Sequence, residues 1–174
     1  MFDLKKITLL FLSIFLINTT ASAQDDALRS DIGMTVFQDD KYKIIFFLTP
    51  DDTETIKKWY TSKDTPEIRT THDIVLNQEL SLFMTVSPKD NMTDVNLTYD
   101  VMLKFPNGDI TEPVGYTLAQ GKLAKGILHP ARNEIPAIMA DAPSDCGEYQ
   151  FIIDLFDKGK KFKRVIMDFK ITEK

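Results

Sequence analysis

Cysteine is nearly absent: Cys146 stands alone in 174 residues. One thiol closes no disulfide within the chain and builds no thiolate metal cluster. The fold must be held by an apolar core, with Cys146 either buried and inert or exposed and able to pair between chains. Histidine is as scarce. His72 and His129 are far apart in sequence, and neither has a neighbour at metal-ligand spacing. No P-loop, no dinucleotide-binding glycine pattern, no G-x-S-x-G and no H-E-x-x-H occurs. The expectation is a chain without catalytic residues, metal or cofactor. Acid pairs such as Asp39-Asp40 and Asp51-Asp52, or Asp154 near Asp157, invite calcium or acid/base readings. Near turns and caps such pairs are more simply solvated turn formers.

Long hydrophobic runs are missing too. The longest, Ile7–Ile17, is about half of the ~20 apolar residues a spanning helix needs. It follows Lys5 and Lys6 and precedes the small-x-small step Ala21-Ser22-Ala23. Residues 1–23 are therefore expected to be a secretory signal cleaved after Ala23. The mature chain, 24–174, is then expected to be one domain, periplasmic or secreted, with no integral membrane segment. The signal holds two lysines and one aspartate, so its loss takes the formal charge from −5 to −6. An acidic surface argues against nucleic acid as a partner.

What is present is alternation. Val95, Leu97, Tyr99, Val101, Leu103 and Phe105 share one parity, and Pro106-Asn107-Gly108 stops the run. Asn-Gly is a hairpin signal, with a weaker return strand over Ile110–Leu118. Leu80, Leu82, Met84 and Val86 alternate, as do Tyr149, Phe151, Ile153 and Leu155 and then Val165, Met167, Phe169 and Ile171. Phe162 falls on the other parity from its strand, predicting a bulge near Lys163-Arg164. Upstream, Met34–Phe37 and Tyr42–Leu48 predict a hairpin, the second strand covered on both faces. In "TPDDTETIKKWY", Thr49 suits a cap and Pro50 the first turn, with Ile56, Trp59 and Tyr60 on one face. A short helix near 50–60 is expected. "DKGKKFKR", 157–164, reads as lysines guarding a hairpin edge, with anion binding as the alternative.

Asp145, Gly147 and Tyr149 form D-x-G-x-Y ahead of an alternating strand, a tight turn and a terminal strand. That layout resembles the entry to strand F of immunoglobulin-like (Ig-like) domains of exported bacterial proteins of undefined role. The resemblance covers roughly 80–174. It implies a mainly β chain, an Ig-like antiparallel β-sandwich with one short N-terminal helix and a hairpin/helix extension. It also implies that the Tyr149 hydroxyl bonds back to nearby backbone. Phe151 stands where antibody domains carry their second cysteine, so the resemblance is to the wider class.

If 95–105 is strand C, it lies beside F and G. The outward side chains then include Met102, Ile152, Phe156 and Ile166, which are more apolar than a solvated face needs. Cover is expected from the Trp59 helix or the N-terminal hairpin; failing that, these four mark a contact surface. The leading expectation is a non-enzymatic exported binding or assembly module of the cell envelope. It would use a sheet face or strand edge to contact another envelope protein or itself. A small-ligand carrier, or a secreted hydrolase or hydrolase inhibitor, is the alternative.

Overall fold

The computed structural model describes residues 27–59, 67–131 and 135–173; the expected signal, 1–23, lies outside them, as does the Trp59 side chain. The strands are β1 (Leu28–Ser30), β2 (Met34–Gln38), β3 (Tyr42–Thr49), β4 (Asp73–Val75), β5 (Leu80–Pro88), β6 (Met92–Lys104), β7 (Val114–Leu123), β8 (His129–Pro130), β9 (Ala137–Ile138), β10 (Gly147–Asp157) and β11 (Lys160–Thr172). Among the described residues one helix, α1 (Thr53–Trp59), joins them, with a 3-10 turn at Pro143–Asp145.

Alternation places these strands in two sheets. The first runs β1-β11-β10-β6-β7, with β4 also on β11; the second runs β2-β3-β5-β8, with β9 also on β5. The inward parities meet between them. Leu97, Tyr99 and Val101 from β6, Phe151, Ile153 and Leu155 from β10, and Val165, Met167 and Phe169 from β11 pack against Ile44, Phe46, Leu48, Leu82, Met84 and Val86. Each such side chain contributes about 1.5–3 kcal/mol on burial. The strand that opened the alternation is thus a core strand, hydrogen-bonded to β10 on one side and β7 on the other.

Helix α1 starts three residues later than its sequence suggests. Thr49 is fully buried and spends its hydroxyl on Asp51. The cap is Asp52, whose Oδ1 accepts the Thr55 N–H at 2.6 Å. That backbone hydrogen bond holds the Asp52 carboxyl below its ordinary value. Ile56 packs with Phe47 and Phe83, so the helix covers the outer face of the second sheet. This corrects the expected cover for Met102, Ile152, Phe156 and Ile166. The hairpin β2–β3 belongs to the second sheet, and α1 follows β3 onto the same side.

Two further departures have local causes. After the Asn107-Gly108 turn, Thr111 bonds Leu103 through both its backbone N–H and its hydroxyl, and Pro113 then has no N–H to donate. The return ladder therefore resumes only at Val114. Opposite Leu155 and Phe156 of β10 the register slips on β11, where Phe162 is the extra residue. Phe162 turns inward against Phe37, with ring centroids 5.7 Å apart, and Lys161 is carried to the outer face opposite Phe156.

Candidate functional site

The outer face of β6, β10 and β11 is laid out in cross-strand rows. Met102, Ile152 and Ile166 form one; Asp100, Asp154 and Arg164 form the next; Lys104, Gln150 and Asp168 lie on the other side of the apolar row. No described helix or strand of the first third of the chain packs over them. The apolar row is nonetheless close to closed, with Ile152 and Ile166 each 8% exposed, while Met102 and Phe156 are half-buried. Arg29 of β1 stands beside Ile166 in register.

Asp154 is the anchor of the charged row. It is 7% exposed and takes Arg164 in a fork, Nε at 2.6 Å and Nη2 at 2.7 Å, plus Lys161 Nζ at 2.6 Å. The bulge at Phe162 is what brings Lys161 within reach. Burial alone would raise the Asp154 carboxyl. The hydrogen bonds from Arg164 and Lys161 outweigh it and hold the carboxyl below its ordinary 3.8. A depressed folded value means the contribution is full above that ordinary value and drains as pH falls through the lower folded one. Asp154→Asn is expected to cost about 1–2 kcal/mol at neutral pH, a figure discounted because both cations remain in contact with water. In urea melts across pH, the gap between wild type and variant should narrow below pH about 4; a gap unchanged by acid would contradict this account.

Beyond the apolar row the face sinks into a hollow of about 740 Å³. Its floor is Lys104, Gln150 and Asp168, with Glu148 and Lys170 beyond; Phe105 and Pro106 flank one side, and Asp31, His72 and Asp73 the other. Gln150 Nε2 donates to Asp168 at 2.5 Å, and His72 lies 3.2 Å from Asp73. The flank is braced by the D-x-G-x-Y stretch. The Tyr149 hydroxyl donates to the Asp145 carbonyl at 2.6 Å, as the tyrosine-corner reading requires. Phe105 meets the Tyr149 ring edge-on at 5.9 Å. Gly147, at φ +153°, lies so close to Pro106 that a Cβ would come within 2.6 Å of its Cγ.

The acids that invited chemistry are engaged elsewhere. Asp39 accepts the N–H groups of Lys41 and Tyr42, Asp51 is bound by Arg69, and Asp52 caps α1. Among the described residues no three His, Cys, Asp or Glu side chains converge as metal ligands. Cys146 is half-buried at the end of the 3-10 turn, and burial, then Glu173 and Asp145, push its thiol up. The cations of 157–164 are largely spent on neighbours, Lys158 on Asp94 and Lys161 and Arg164 on Asp154.

Sequence reasoning placed Met102, Ile152, Phe156 and Ile166 on one face, and the strands put them there. It missed Lys104, Glu148, Gln150 and Lys170. These read as ordinary outward residues, and only the approach of residues 31 and 72–73 to β11 makes the face concave.

Strand order and tyrosine corner together define an Ig-like β-sandwich. No protein-family model matches the chain, and no curated protein matches it either. Solved structures similar to it include a Niemann-Pick type C2 protein from the Japanese carpenter ant, 13% identical at TM-score 0.38, covering 82% of this chain and 98% of its own. An immunoglobulin-like protein from Pseudomonas aeruginosa is 14% identical at TM-score 0.32, covering 86% and 99%. The CARDB domain of a Pyrococcus furiosus protein is 8% identical at TM-score 0.38, covering 61% and 91%.

Proposed function

We propose that the chain is an exported, non-enzymatic binding or assembly module of the cell envelope, whose working surface is the outer face of β6, β10 and β11. One observation carries the reading. The helix and hairpin that had apolar surface to bury lie on the other sheet, and leave Met102, Ile152, Phe156 and Ile166 without a covering element. The face is favoured over the β7 edge that adjoins it. The β7 edge of the first sheet is interrupted by an extra residue at Leu118 and carries Lys122, both features that discourage strand addition. An apolar-ligand carrier is less well supported, because the hollow on this face is lined by charged side chains and lies outside the core.

The test is the double variant Phe156→Ser, Ile166→Ser. Association in the envelope, read by crosslinking, and self-association, read by sedimentation, are expected to weaken at least about tenfold, which is roughly 1.4 kcal/mol. Circular dichroism should keep its β signature. Unchanged association would remove the face from consideration. N-terminal sequencing of the exported protein should begin at Gln24.

A further inference from the structure

The hollow beside the tyrosine corner holds charges that the fold does not use. Glu148 and Lys170 are direct cross-strand partners in register, a placement that favours opposite charges. No ion pair joins them, and among the described residues Lys104 and Asp31 are likewise unpaired. All four line the same hollow.

We propose that this hollow seats an extended segment of a partner protein, with a basic side chain at Glu148, a polar one at Gln150 and an apolar one over Ile152 and Ile166. The inference rests on the outer face being the working surface. Its first support is spacing. Residues 148, 150 and 152 are successive same-face positions of one strand, about 6.7 Å apart, and an extended peptide presents alternate side chains at that interval. Its second is charge. The carboxylates of Asp31, Asp73, Glu148 and Asp168 outnumber the ammonium groups of Lys104 and Lys170 even with His72, which lies against Asp73, counted beside them, so a cation is the favoured guest. Its third is rigidity. Pro106 is wedged against Gly147 and Phe105 against Tyr149, so the flank is formed before anything binds, which lowers the cost of binding. A free polyamine would satisfy the charge but leave the apolar row unused.

The test is an NMR titration of the isotope-labelled protein with the capped peptide Lys-Thr-Ser-Thr-Ile-Thr. Controls are the same peptide with Glu for Lys, a reordered peptide with Lys beside Ile, and spermidine. Saturable shifts are expected at the Gln150 side-chain amide and at Ile152 and Ile166, with every control at least about tenfold weaker. Glu148→Lys should reverse the preference between the Lys and Glu peptides while the spectrum stays dispersed. Equal binding of the Lys and Glu peptides, binding of spermidine as tight as the peptide, or no saturable shift at Gln150 would overturn the proposal. If the peptide fails while Phe156→Ser, Ile166→Ser still abolishes association, only the hollow's role falls; if both fail, the face falls with it.

Discussion

Phe169→Ala is expected to lower the unfolding free energy by about 3–5 kcal/mol, the range for truncating a buried aromatic ring. Phe169 is 3% exposed and lies between two other rings, its centroid 5.4 Å from Tyr149 and 5.1 Å from Phe151. Phe105 extends the group edge-on from Tyr149. Removing the middle ring takes away its own burial and a contact from each neighbour, and the strands around it are too well bonded to collapse into the gap. The midpoint of thermal unfolding should fall by about 2–4 °C for each kcal/mol lost. Phe169 follows Asp168, so hollow and core should loosen together. A loss under about 1 kcal/mol in urea melts would mean that the ring cluster is not the core element described here.

Gly147→Ala should cost about 2 kcal/mol or more by two routes. The backbone there has φ +153°, and the new methyl would meet the Pro106 ring at 2.6 Å from Cγ and 2.9 Å from Cβ. A proline ring cannot swing aside as a flexible side-chain end would. The routes separate in a double variant. Pro106→Ala removes the Cγ, and Gly147→Ala in that background is expected to recover at least half of its cost. Absence of recovery in paired denaturation curves would remove the Cγ contact as a cause and leave the penalty to the backbone and the remaining Cβ contact at 2.9 Å.

The β half of this molecule was legible because its signal is a period of two, and burial on one side only is what produces that period. Leu97, Phe151 and Met167 could be assigned to the interior from parity alone. Tyr149 could be assigned a hydrogen bond from its offset to Asp145. The bulge was legible as a parity break at Phe162, and its consequence for Lys161 was not, because a strand does not record which neighbour a displaced side chain will meet. The destination of α1 was also hidden. Ile56 announces a face in need of cover, but both sheets offered one, and the choice follows from β3 leading directly into the helix. The hollow was the least legible feature. Glu148, Gln150 and Lys170 are spaced as any wet strand face would be, and the concavity is made by residues 31 and 72–73, more than seventy positions away in sequence.

The terminal strand is bonded along one side to β10 and along the other to two separate segments, β1 through Leu28–Ser30 and β4 through Asp73–Val75. Leu28 faces Val165 across nearly the whole length of the chain. Closing so long a loop is entropically costly, so this pairing is expected late in folding. Until β11 docks, the first sheet has no link between β10 and the two N-terminal segments. A destabilising change in β11 therefore exposes three strand edges at once, those of β1, β4 and β10.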